Sequence, residues 1–380
     1  MGKRYLKNEA EVDDFVRGCT FLGTGGGGSP EVGKEQLMVE LKKGRKIGWI
    51  DIEEVSDTDL TACPYAMGSI APRTEEIEKE MLKFGLGKER LTPTEAGVKA
   101  IEVLEKYTGK KISVLVSDEL GGISTPLDIA IASACGLPCV DGDYTGRAIP
   151  EIPQITPPSI YGKLLSPFVE IDYYGDIGIF DNTLNNAIAE RIGKIFTTAA
   201  FGIASCAGLL ISGKEMKECV IPNTLTECCN VGSTIRKARE SGKDPIEEVI
   251  KLLRNAWVLF KGKVTRKETE DKEGYYWGTH TITGEKEFAG HEFKIWFKNE
   301  NHISWMDDKP YVTSPDMLIT VDSKTGEPKP NPSIKEGDNL VVIGVKAREK
   351  YRNKKGIDIL SPAHFGYKDI KYTPIEEVVG

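Results

Sequence analysis

Val12, Phe15, Val16 and Cys19 recur at the three-and-four spacing of one helix face, so the chain opens with an amphipathic helix from about Glu9 that stops before a run of glycines. That run, Gly23-Thr24-Gly25-Gly26-Gly27-Gly28, leads into Ser29-Pro30-Glu31, a serine N-cap followed by a first-turn proline, which starts a second helix toward Lys43. Ala62 to Gly68 reads as a short buried strand with a glycine exit, and a helix follows from about Thr74. Thr92-Pro93-Thr94-Glu95 is a capping box, and Val98, Ile101 and Leu104 give the helix after it a core stripe. Ile112 to Ser117 is a strand, Thr125-Pro126 caps a helix reaching about Cys135, and Leu137 to Val140 is a further short strand. Strands alternating with helices predict an α/β domain, a mainly parallel sheet with flanking helices.

Four prolines, Pro150, Pro153, Pro157 and Pro158, break this rhythm and set the expected boundary between a domain of residues 1–165 and one of residues 166–380. Beyond them, Phe168 to Phe180 is extended and interrupted by glycine, Thr183 to about Ala199 is a helix, and Gly202 to Ile211 is a buried strand of small apolar residues. Helices near Leu225 to Glu240 and Pro245 to Asn255 precede a β-rich tail, so the second domain is expected to be α+β. In that tail Glu292 to Phe297 alternates apolar and polar residues, Met317 to Val321 runs into the turn Ser323-Lys324-Thr325-Gly326, and Leu340 to Ile343 is a buried strand.

Composition narrows the classes. A chain of 380 residues exceeds one ordinary core, which agrees with two domains. No stretch near twenty uninterrupted apolar residues occurs, so no membrane span is expected. The N-terminus, Met1 to Lys7, is charged but runs into Asn8-Glu9-Ala10-Glu11 without the apolar core of a signal peptide, which points to the cytoplasm. The net charge of −8 comes from intermixed Lys and Glu, giving no basic stripe for nucleic acid. The eight cysteines are spread along the chain and read as reduced thiols; Cys135 with Cys139 and Cys228 with Cys229 lack the second pair that a structural zinc site needs. The four histidines, His280, His291, His302 and His364, all fall late and show no zincin spacing, and no Gly-x-Ser-x-Gly elbow is present.

Three segments carry candidate chemistry. Four consecutive glycines, Gly25, Gly26, Gly27 and Gly28, are entropically costly for a mere turn and favour a close backbone approach to something, a polar or anionic substrate being the functional reading. The run contains the GxGxxG spacing, but what precedes it is helical, which argues against a dinucleotide site. Glu119, in Asp118-Glu119-Leu120-Gly121-Gly122, falls where a parallel strand ends, the place where α/β sheets bind ligands. Asp141-Gly142-Asp143 is expected to follow the strand ending at Val140, with Arg147 close behind. Two carboxylates and a guanidinium in seven residues can bind a divalent cation, position water or hold an anion, or they can simply fix the loop. A divalent metal is therefore a candidate cofactor. Cys63, beside Pro64, is the cysteine to test as a nucleophile.

Taken together, several stretches resemble one family, first described as the domain of unknown function DUF917 and associated with S-methyl thiohydantoin desulfurase. They are Leu22 to Pro30, Tyr65 to Gly68, Glu119 to Gly122, Leu137 to Glu151, Lys298 to Asn301, Ser314 to Asp316 and His364 to Tyr367, so the resemblance runs over nearly the whole chain. Thr145 stands where a methionine is expected and Gly142 where an alanine is; both bear on substrate identity and neither on the fold. The resemblance implies an N-terminal α/β domain followed by a β-rich domain, and a place in hydantoin-ring metabolism beside hydantoinase and oxoprolinase-type proteins. The implied reaction is hydrolytic removal of sulfur from a thiohydantoin ring carbon. In that reading Asp143 or Glu119 activates water, with Asp141 in the same catalytic set. Arg147, Glu151 and the amides of Gly25 to Gly28 bind the cyclic substrate or its developing charge. The alternative is a non-catalytic ligand-binding or partner subunit of a hydantoinase/oxoprolinase-type assembly. A homo-oligomer is expected for a protein of this size.

Overall fold

Asn8 accepts a hydrogen bond from the Glu11 N–H and Ser29 from the Val32 N–H, so the first two helices, Glu9–Leu22 and Pro30–Lys42, begin where the caps place them. These assignments come from a computed structural model that describes residues 4–379; Met1 to Lys3 of the N-terminal stretch, and Gly380, lie outside them. The capping box of Thr92 and Glu95 opens the helix Pro93–Thr108. Two local expectations shift. The next helix starts at Ser124, and the Thr125 hydroxyl, instead of capping it, donates to the Glu119 carbonyl at 2.9 Å. The strand expected to end at Val140 runs over Cys139–Asp143, so Asp141, Gly142 and Asp143 lie in the sheet rather than in a loop after it.

The first sheet has seven strands in the order 177–180, 168–172, 203–212, 60–68, 114–117, 139–143 and 221–222. Only Leu60–Gly68, Val114–Ser117 and Cys139–Asp143 run parallel; every other pairing is antiparallel. The α/β class stands, with the correction that this sheet is mixed and not mainly parallel. Its antiparallel half comes from the chain beyond the proline cluster, which returns into the same sheet as the hairpin 168–180 and the long strand Ile203–Ser212. Helices cover both faces. Glu9–Leu22, Pro93–Thr108, Ser124–Cys135 and Thr224–Glu240 bury their apolar stripes on one side, and Asn186–Ala199 and Gly213–Cys219 pack on the other.

The second sheet is antiparallel throughout, with seven strands in the order 309–313, 300–306, 292–298, 275–284, 256–272, 339–345 and 317–322. It curls around a separate core of residues such as Phe260, Phe293, Ile295 and Val342. The expected strands near 292–297, 317–321 and 340–343 are present, and the long hairpin Ala256–Lys272 with Tyr275–Gly284 joins them. Among the described residues no helix is long and apolar enough to cross a membrane.

The helices Glu9–Leu22 and Thr224–Glu240 cross with backbones in contact. A Cβ on Gly18 would lie 1.8 Å from the Cys228 carbonyl oxygen, and one on Gly232 1.7 Å from that of Asp14. Backbone cannot yield as a flexible side chain does, so Gly232→Ala is expected to lower stability by about 1–3 kcal/mol, the usual cost of overpacking. Urea unfolding reads this directly, and an unchanged midpoint would contradict the close crossing.

Candidate functional site

At the carboxyl ends of strands Leu60–Gly68 and Val114–Ser117 the loop 118–123 turns inward. Thr125 pins it by accepting from the Gly121 N–H and donating to the Glu119 carbonyl. The buried Glu119 carboxylate accepts the Ser124 hydroxyl on Oε1 and the Ile149 N–H on Oε2, both at 2.7 Å. Burial pushes it up, the two donors oppose that, and it settles at about 7. Beside it, burial pushes the carboxyls of Asp118 and Asp128 well above their usual range, and Glu119 adds to both shifts.

Helix Asn186–Ala199 brings the opposite wall. Its inward stripe is Ala189, Glu190, Gly193, Lys194 and Thr197. Lys194 Nζ donates to the carbonyls of Gly68 at 2.8 Å and Gly274 at 3.2 Å, and lies 3.9 Å from Glu190. An ammonium has three N–H donors, so one remains after those two carbonyls. Glu190 accepts the Tyr275 hydroxyl and the Ile152 N–H, and the Tyr275 ring sits under Lys194 at 4.2 Å. Burial lowers Lys194 and raises Glu190, while each group's charge opposes the other's shift. Between these walls is a cavity of about 30 Å³ lined by Met67, Asp118, Glu119, Ile152, Glu190 and Lys194. It is polar and large enough for water. A cleft of about 830 Å³ flanks the same loops, with Ser69 and Ile70 just past Met67, and Gly28 and Ile123 just past the glycine and Glu119 turns.

The glycine loop makes its close approach to the protein itself. Gly27 N–H donates to Glu300 Oε1 at 3.2 Å; a Cβ on Gly26 would lie 1.9 Å from that oxygen, and one on Gly27 2.3 Å from the Gly121 Cα. The carbonyls of Thr24 and Gly25 accept the N–H groups of Asn301 and Asn331. The group that meets this loop is thus the chain's own Glu300, whose carboxyl burial pushes well above its usual range, and of the four expected substrate-binding glycines only Gly28 lines the large cleft.

Arg147 is likewise occupied. Its Nε donates to the Ala148 carbonyl at 3.0 Å, Nη1 to the carbonyls of Pro315 at 3.1 Å and Asp316 at 3.4 Å, and Nη2 to Thr24 Oγ1 at 3.2 Å and the Asn301 carbonyl at 3.1 Å. A guanidinium has five N–H donors, and all are engaged, so Arg147 clasps the two sheets together instead of reaching for a substrate carboxylate. Burial lowers it to about 10, opposed first by Glu300, and it stays charged at neutral pH.

The remaining candidates separate. Asp141 accepts the Thr226 N–H and hydroxyl, holding the start of helix Thr224–Glu240. Asp143 Oδ2 accepts the amides of Thr145 and Gly146 and the Thr145 hydroxyl, fixing the turn that delivers Arg147; burial raises its pKa, with Thr224 the largest opposing influence. Neither carboxylate lines the small cavity. Glu151 pairs with Lys298 and His364; although burial pushes it up, the His364 hydrogen bond and the Lys298 charge hold it at about 2. Cys63 is buried, and burial and Asp118 hold its thiol well above the usual range, so it is a core residue. The histidines take separate partners: His280 bonds Asn331 and burial lowers it to about 4, His291 pairs with Asp307, and His302 bonds Ser314. Among the described residues no group of three or more His, Cys, Asp or Glu is arranged to hold a metal ion.

Glu190, Lys194 and Glu300 are missing from the sequence-based set. A signal existed for two of them: 190, 193, 194 and 197 follow the core-facing spacing of their helix, and two charges in a buried stripe mark a site.

Family models match the chain in two blocks, "S-Me-THD-like, N-terminal domain" over residues 10–182 and "S-Me-THD-like, C-terminal domain" over residues 184–375. A search of curated proteins finds no match. A crystal structure of a protein from Chromobacterium violaceum is similar with a TM-score of 0.76 at 18% identity, over 99% of this chain and 100% of that one, a likeness of fold.

Two stability predictions follow from these contacts. Arg147→Lys keeps the charge but cannot reach five acceptors, and should lower stability by about 3–5 kcal/mol, the range for breaking a buried charged network; denaturant titration checks it. Glu170 is buried beside this cluster, and burial and Glu190 raise it from 4.5 to about 8. The folded state therefore keeps a proton that the unfolded state loses, so this contribution is full below about pH 4.5 and is lost as pH rises toward 8. Glu170→Gln should flatten that decline, read as urea midpoints across the interval; an unaltered slope would remove Glu170 as its source.

Proposed function

The chain belongs to the S-Me-THD-like family, and on that premise we propose that it is a hydrolase acting on a small cyclic amide or thioamide of the hydantoin or thiohydantoin type, removing ring sulfur by attack of water. The observation that carries this reading is Glu119, held at about 7 and facing one water-sized cavity together with Lys194. A base poised near the working pH is the most effective general catalyst. In this mechanism the ionised Glu119 takes a proton from water, and the water oxygen bonds to the ring carbon that bears sulfur. The negative charge that develops on the ring meets the remaining Lys194 N–H, in surroundings dry enough to strengthen that contact. The electron pair on the ring nitrogen then re-forms the carbon–nitrogen double bond as the carbon–sulfur bond breaks. Glu119 gives its proton to the departing sulfur, which leaves as a thiol, and the hydroxyl proton passes to the ring nitrogen, leaving the hydantoin carbonyl and N–H. About 30 Å³ holds water and not a ring, so in this mechanism the walls of the cavity part to admit the substrate.

That same small volume favours a second reading, a ligand-binding or partner subunit of a hydantoinase/oxoprolinase-type assembly. Turnover separates the two. We expect the wild type to release sulfur from a thiohydantoin, with kcat/KM rising as pH passes through about 7 where Glu119 ionises. Glu119→Gln should reduce kcat by about 10²–10⁴-fold, whereas Asp143→Asn should affect stability more than turnover. If Glu119→Gln matches wild type on every substrate the wild type consumes, Glu119 is not the base; binding without any turnover would select the second reading.

A further inference from the structure

An unpaired strand edge offers a row of free N–H and C=O groups, and natural sheets blunt such edges. Three of the four edges of the two large sheets are blunted here. Ile221–Pro222 is two residues long and ends in proline, which has no N–H. Lys309–Thr313 opens with an exposed lysine and proline. Met317–Asp322 is covered by its own chain, Lys329 N–H donating to the Thr320 carbonyl and Asp322 N–H to the Glu327 carbonyl, both at 2.8 Å.

The fourth edge, Ile177–Phe180, has none of these devices. Among the described residues no hydrogen bond reaches it except from its hairpin partner Phe168–Asp172. Its outward residues are apolar, with Ile177 43% and Ile179 42% exposed. Leu184 in the connection after it is 86% exposed, and Ile195 is 62% exposed on the helix whose Phe196 would meet a Cβ on Gly178 at 3.3 Å. Such an edge needs a partner.

We propose that Ile177–Phe180 pairs antiparallel with the same strand of a second copy, joining two seven-stranded sheets across a two-fold axis at Gly178. The strand is self-complementary about that point, as a two-fold interface requires. Centring on Gly178 sets Ile177 against the second copy's Ile179, and Ile179 against its Ile177, so four isoleucines meet around two facing glycines. Charge disfavours one neighbouring register: moving the centre to between Gly178 and Ile179 would set Asp176 against Asp181 at both ends, a like-charge pairing that destabilises sheets. The small cavity around Glu119 lies on other strands, so this pairing stands apart from the proposed chemistry.

Light scattering on the eluting full-length chain at about 50 μM, a concentration suited to an interface at the small end of the stable range, should give twice the monomer mass. Ile177→Lys combined with Ile179→Lys should give a folded monomer with the wild-type circular-dichroism spectrum, because both side chains are already partly in water within one copy. Gly178→Cys faces its own copy across the axis and should form a cross-linked dimer under mild oxidant, which wild type treated alike should not. A monomeric wild type overturns the proposal and leaves the edge to a different polypeptide. A dimer that survives both lysines, or that gives no cross-link through Gly178→Cys, overturns it as well.

Discussion

The structure turns on where the charge of Arg147 goes. A guanidinium sealed from water is costly unless every N–H finds an oxygen. Here those oxygens come from Thr24, Ala148, Asn301 and the Pro315–Asp316 turn, which places the glycine loop, the 144–149 turn, and one strand and one turn of the second sheet around one group. Two carboxylates complete the arrangement. Glu300 sits under the glycine loop, and Glu119 is fixed by Ser124 and Ile149. The buried charge is shared between the halves of the chain, so neither half presents a finished site alone.

This explains why a carboxylate near neutrality can persist beside the cavity. Glu119 has only two donors; burial and the charge of Asp143 oppose its ionisation, while Lys194 favours it. Opposed influences of similar size leave the group close to the midpoint of its titration, where it both accepts and returns a proton. The price is a cluster of buried acids whose ionisation burdens the folded state at high pH.

What could be read from the sequence follows the range of the forces involved. Caps and stripes are local, so Ser29, Thr92 and the Val98, Ile101, Leu104 face located their helices within a residue or two. Strand direction is not local: the small apolar segment 203–212 looks the same whether it enters a parallel or an antiparallel sheet. The strand Ala256–Lys272 is hidden because its outer half, Thr265 to Lys272, is polar on both faces and mostly exposed. Glu119 was legible from its position after a strand. Arg147 is legible as a candidate but its task is not, since four of its five acceptors lie 123 to 169 residues away in sequence. Lys194 and Glu190 are hard to read from sequence because charge in a helix's buried stripe contradicts the default amphipathic pattern.

The strand Ile203–Ser212 lies between Leu60–Gly68 and Phe168–Asp172 in the first sheet. A chain made from its N-terminus therefore carries the strand at 60–68 unpaired on that side until more than 140 further residues have been synthesised. Pairing that waits so long in sequence is slow and leaves apolar edges open meanwhile. On the ribosome, the nascent chain passes a long interval of its synthesis as a half-built sheet, a natural client for chaperones that shield strand edges.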